Sequence, residues 1–160
     1  MIENIKLILF SFIASFGYGI VFRIKKEYLI WAGLGSALTR FCYLCLVNVI
    51  DERFVYTLLA AMFASLFAEI MALTFKTPST VFLYPAIIPL LPGRLLYNTA
   101  LNFFIHDQSA MLENAQNCAL TLVGMSIGFV LVSTFTYYRR VYFLSREIAS
   151  HLRHYSRKKN

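Results

Sequence analysis

Charge is what this chain has least of. Only 14% of its 160 residues are Asp, Glu, Lys or Arg, whereas a soluble domain carries roughly 25%. The apolar share is 59% and the mean hydropathy +0.63. Other absences narrow the class. No ~10-residue stretches alternate apolar with polar, which excludes a membrane β-barrel. No Ser/Gly-rich linker divides the chain, so it reads as one domain. The basic cluster follows the first apolar run instead of preceding it; Glu3 and Lys6 stand before the run and Arg23, Lys25 and Lys26 after it, the reverse of a signal peptide. The three cysteines include a C-x-x-C at Cys42 and Cys45, but both lie inside an apolar block with no second ligand pair, and they read as small buried hydrophobes. H-E-x-x-H, G-x-S-x-G and paired intramembrane carboxylates are lacking, so neither an enzyme nor a cofactor or metal site is expected. The net charge of +7 does not imply nucleic acid, because no basic surface interleaved with aromatics accompanies it.

What is there comes in long apolar blocks, each near the ~20 residues that a helix needs to cross ~30 Å of hydrocarbon. The spacing predicts an all-α membrane protein with about five transmembrane helices, at 1–22, 28–50, 54–75, 79–105 and 115–138. A polar loop is expected over 106–114, with His106 an interfacial residue at its start. Together these form a transmembrane domain, 1–138, followed by a basic tail, 139–160. In that tail Val141, Leu144, Ile148, Leu152 and Tyr155 recur at spacings of three and four among arginines. That pattern predicts an amphipathic helix on the anionic cytoplasmic leaflet of the bilayer.

Alternating the sides of five spans puts eleven Lys and Arg on one side and two on the other. The Lys/Arg bias then orients the chain with its amino terminus outside and its carboxyl terminus cytoplasmic, as expected for a bacterial inner-membrane protein.

Three charged residues fall within spans: Arg40, Glu69 and Arg94. Each costs roughly 2.5–3.5 kcal/mol near mid-bilayer on insertion scales, so each is expected to face protein or a water-filled cavity. Their helical neighbours agree. Gly33 and Ser36 precede Arg40, Ala61, Ser65, Ala68 and Ala72 surround Glu69, and Asn98 and Asn102 follow Arg94. Small residues admit close helix approach, and polar ones bond across helices. Gly124 and Gly128 form a G-x-x-x-G packing motif in the last span. Glu69 and Arg40 are the candidate proton-coupling or ion-pair residues: Glu69 is either a proton-coupling carboxyl or half of an ion pair with Arg40 or Arg94.

The fourth span, STVFLYPAIIPLLPGRLLYNTALNFFI, holds Pro85, Pro89, Pro92 and Gly93 near its middle. Each proline removes a backbone donor and crowds the preceding turn, so the cluster predicts an unwound segment. Unwound backbone at this depth is tolerated only where protein buries it or water reaches it. Secondary transporters build sites this way, with a half-helix amino terminus aimed at an anionic group. Here that half-helix starts at Gly93. Pro89, Pro92, Gly93, Arg94 and Asn98 are therefore the candidate substrate-binding residues, for a small substrate bearing a carboxylate. The packing alternative is a kinked helix whose Arg94 pairs with Glu69.

The stretch from Lys76 to Asn102, above all Ile88-Pro89-Leu90-Leu91-Pro92-Gly93, resembles the threonine/serine exporter family, in its smaller, carboxyl-terminal-half subunit. Fused members carry two membrane halves in one chain, and split members use a large subunit with a small one of about this length. The resemblance implies export of threonine and serine driven by the proton gradient, with other small carboxylates as substrates of some split systems. It also implies a larger five-span subunit as partner. Five short spans leave little room for an enclosed, two-gated site, which likewise points to a hetero-oligomer. The competing reading is a non-transporting scaffold or assembly subunit, whose fourth span would be continuous, packed and dry.

Overall fold

A computed structural model describes residues 2–159, with side chains described for residues 3–139. Helix α1 covers Ile2–Val21, α2 Lys26–Val47 and α3 Arg53–Phe75. Then come α4 (Thr80–Ile87), a 3₁₀ turn (Ile88–Leu90), α5 (Gly93–Phe104) and α6 (Gln108–Lys159). Helices α1, α2 and α3, and α6 from Gln108 to Arg139, are each long and apolar enough to cross a membrane. The α4–turn–α5 pair, bent by 48°, makes a fifth crossing when counted as one span. The chain is a multi-pass, all-helical membrane protein.

Its packing inverts that of a soluble domain. The buried interior is made mostly of small side chains, Ala60, Ala61, Ala64, Ser65, Ala68 and Ala72 of α3 with Gly33, Gly35 and Ser36 of α2, around a few large ones such as Phe82, Tyr56 and Met125. Large residues such as Phe10, Ile13, Ile20, Leu66, Ile70, Val130 and Phe135 point outward. Lipid is as apolar as leucine, so hydrophobicity does not drive these helices together; close approach does, and small residues permit it. The glycines show how close. A Cβ on Gly124 would lie 2.9 Å from the Phe54 carbonyl oxygen, and one on Gly128 would lie 2.7 Å from that of Leu58. The G-x-x-x-G motif thus seats α6 against the backbone of α3. Gly33 meets the Phe12 ring of α1 in the same manner, and Gly35 meets Phe67.

Helices α2 and α3 run antiparallel. Tyr43 meets Tyr56 at one end, with ring centroids 5.4 Å apart, and Trp31 meets Phe75 at the other, 5.8 Å apart. Between them sits α4, whose Phe82, Pro85 and Ala86 are fully enclosed.

Two expectations change. The segment 106–114 is not a loop: Asp107 caps a helix that begins at Gln108, its Oδ1 accepting from the Ala110 N–H at 3.1 Å and the Ser109 hydroxyl at 2.8 Å. An Asp in this position satisfies donors that the first helical turn leaves open. The last helix also runs to Lys159 without a break at the expected tail boundary. The amphipathic face expected for 139–160 depends on side chains that lie outside the described residues.

Candidate substrate cavity

The site is best built from the two prolines that shape it. Pro89 has no N–H to offer the carbonyl of Pro85, four residues earlier, and Pro92 has none for the carbonyl of Pro89, three residues earlier. Each freed oxygen finds a donor from a distant helix. The Ser15 hydroxyl of α1 donates to the Pro85 carbonyl at 2.7 Å, in full burial. Arg40 of α2 donates through Nη1 to the Pro89 carbonyl at 3.2 Å, and its guanidinium lies 5.3 Å from the Tyr43 ring centroid. The Gly93 N–H turns back to Leu91, and the first bond of the new helix runs from Leu96 N–H to the Pro92 carbonyl at 3.0 Å. The backbone N–H groups of Arg94 and Leu95 therefore open α5 ahead of its own ladder.

Pro85 behaves differently from its neighbours. It lies inside α4, deletes one bond near the helix start, and the helix runs past it. The unwinding is confined to Ile88–Pro92, narrower than the proline cluster as a whole.

Beside this break is a cavity of about 520 Å³. Arg40 and Tyr43 line it from α2, and Arg53 from the first residue of α3. Pro89, Pro92, Arg94, Leu95 and Asn98 contribute from the broken span, and Glu113, Asn114, Asn117 and Thr121 from α6. Of the residues singled out in the sequence, Arg40, Pro89, Pro92, Arg94 and Asn98 come together on these walls, and Gly93 lies between two of them. Glu69 is not among the lining residues. It sits half-buried in α3 toward the Phe75 end, whereas the cavity lies toward the Tyr43–Tyr56 end.

The α6 wall is what sequence reading missed. Glu113, Asn114 and Asn117 stand where a loop, or only the start of a span, was expected. The signal was present in the three- and four-residue steps Asn114, Asn117 and Thr121, a polar stripe on one helix face. The chemistry differs from wall to wall. Donors dominate on the α2 and α5 sides, and acceptors on α6: the Glu113 carboxylate, and the Asn114 Oδ1 left open because its Nδ2 donates to the Ala110 carbonyl at 2.7 Å. Among the described residues the side chains of Arg94 and Glu113 make no hydrogen bond or ion pair.

No curated protein and no solved structure matches the chain. A family model described as Threonine/Serine exporter, ThrE, matches residues 7–135, which take in every described residue that lines the cavity. The chain, with its I-P-L-L-P-G break and five potential crossings, belongs to the threonine/serine exporter family.

Proposed function

We propose that this chain is the small subunit of a two-component exporter of small amino acids, threonine- or serine-like, driven by the proton gradient and acting as a carrier, not an enzyme. The supporting observation is the interrupted fourth span beside a cavity lined by Arg40, Arg53 and Arg94. A dry, continuous span, as the scaffold reading requires, is not what the helix pair presents. A guanidinium near mid-membrane is costly, and a carboxylate guest would offset that cost. With the amino terminus outside and the carboxyl terminus in the cytoplasm of a bacterium, the cavity lies in the outer half of the bundle. A larger five-span subunit of opposite orientation would complete the other half, as inverted repeats do in many carriers. Glu69, on the inner half, is the proposed proton-coupling group, and Arg40 the brace of the break.

The test is efflux of radiolabelled threonine and serine from cells with and without the chain, and from washed vesicles carrying both subunits. Arg94→Ala should abolish export at an unchanged membrane level of the protein; full activity would remove Arg94 from the mechanism. Glu69→Gln should leave flux that no longer follows an imposed pH gradient. Gradient-dependent flux in that variant would take coupling away from Glu69.

A second reading has its own support. Three guanidiniums against one carboxylate leave the lining net cationic, which favours a small dicarboxylate. Labelled dicarboxylate efflux in the same cells separates the two.

A further inference from the structure

Resting on the exporter reading, we infer that the cavity has two poles and that Glu113 of α6 is its ammonium-selecting residue. In a broken-helix carrier the obvious partners for a cation are carbonyls released at the break. Here they are spoken for: Ser15 holds that of Pro85 and Arg40 that of Pro89. The ammonium of an amino acid must find its acceptor elsewhere. Among the described residues that line the cavity only Glu113 is anionic. It carries no partner among the described residues, and Asn114 beside it turns a free Oδ1 outward from the Ala110 bond. Arg94 is the matching group on the broken span: a guanidinium with no partner among the described residues, at the helix end where backbone N–H groups are also open. Arg40 spends its Nη1 on the Pro89 carbonyl, and its Nε is buried without a partner among the described residues, so it braces the break and is not a freely presented group as Arg94 is. Arg53, at the start of α3, is a second cavity guanidinium without a hydrogen bond among the described residues, but only Arg94 stands on the broken span, whose second half packs on the α6 helix that carries Glu113; that free carboxylate and guanidinium fit a zwitterion. Removing the negative pole should make the site tolerate a hydroxy acid that lacks the amino group.

The experiment measures labelled threonine uptake into inverted vesicles from the native host, its chromosomal copy replaced by wild type, Glu113→Gln or Glu113→Asp. Competitors are serine, which keeps both poles, 3-hydroxybutyrate, which lacks the ammonium, and threoninol, which lacks the carboxylate. Wild type should be inhibited by serine at least ten-fold more strongly than by either analogue. Glu113→Gln should lose ten-fold or more of its threonine flux and bring the serine-to-3-hydroxybutyrate ratio close to one, leaving the threoninol response weak. The ratio does not depend on how much protein reaches the membrane. If Glu113→Gln carries no measurable flux, the ratio is read in Glu113→Asp, where it should be intermediate. An unchanged ratio in the variant that carries flux overturns the assignment to Glu113 and leaves the exporter reading standing. Wild-type vesicles that move no threonine overturn both.

Discussion

The two halves of the fourth span share one stretch of sequence and have opposite fates. The first half, α4, is wedged among α2, α3 and α1, and its Phe82, Pro85 and Ala86 lie in the core. The second, α5, packs chiefly on α6 and has no buried residue. Composition explains the divergence. Over Thr80–Ile87 the residues are apolar or small, and they fit an interior of alanine and glycine. Over Gly93–Phe104, Arg94, Asn98 and Asn102 form a polar stripe, with Leu96, Tyr97, Leu101 and Phe103 turned outward. A polar stripe cannot enter a dry core without a partner for each group. The span therefore divides where its chemistry changes, and the cavity opens beside that break.

That contrast can be broken from either side. The largest effect is expected on the packed side. Gly128→Leu would drive a side chain into the α3 backbone, where a Cβ alone already comes within 2.7 Å of the Leu58 carbonyl. Overpacking costs about 1–3 kcal/mol, occasionally more, and backbone cannot step aside as a flexible side chain can. The midpoint of thermal unfolding in detergent should fall steeply. Next comes Arg40→Ala, which strands the Pro89 carbonyl and removes a charged donor, worth about 1.5–3 kcal/mol; Arg40→Lys should recover part of it. Ser15→Ala should cost about 1 kcal/mol through the Pro85 carbonyl. A sharper form adds Pro89→Ala, whose restored N–H can bond that carbonyl. The double variant should then be more stable than Ser15→Ala alone, a coupling that simple additivity excludes.

The smallest effect concerns the α5–α6 corner. The Ala110 N–H, and then the Ser109 hydroxyl, hold the Asp107 carboxyl below its usual range. A depressed folded value means that the cap contributes above the ordinary carboxylate pKa and is lost as pH falls through the folded one. Protection of the Ala110 amide, taken relative to its intrinsic exchange rate at each pH, should fall below that range, and Asp107→Ala should show the faster exchange at neutral pH. Equal exchange in both proteins at neutral pH would remove the cap.

Much of this architecture was legible in the chain. Block length marked the spans, and the Gly93 start of the second half-helix followed from prolines that withhold backbone donors. Arg40 and Arg94 were flagged by cost alone, since charge in a membrane needs a reason. What could not be read is tertiary. Nothing around Ser15 announces that its hydroxyl will meet a carbonyl seventy residues away. Glu113 escaped because polar residues after a helix end look like a loop until Asp107 is seen as a cap. Pro85 was counted with its neighbours, although one missing bond early in a helix is not enough to unwind it.

Ser15 and Arg40 are donors on two separate helices, and each stands in for one of the span's own amides. The course of the backbone between Pro85 and Gly93 is thus held jointly by positions 15, 40, 89 and 92, scattered along much of the chain. A substitution at any of them is expected to disturb the point at which α5 begins, so residues on the first two helices shape this break as much as the prolines within it do.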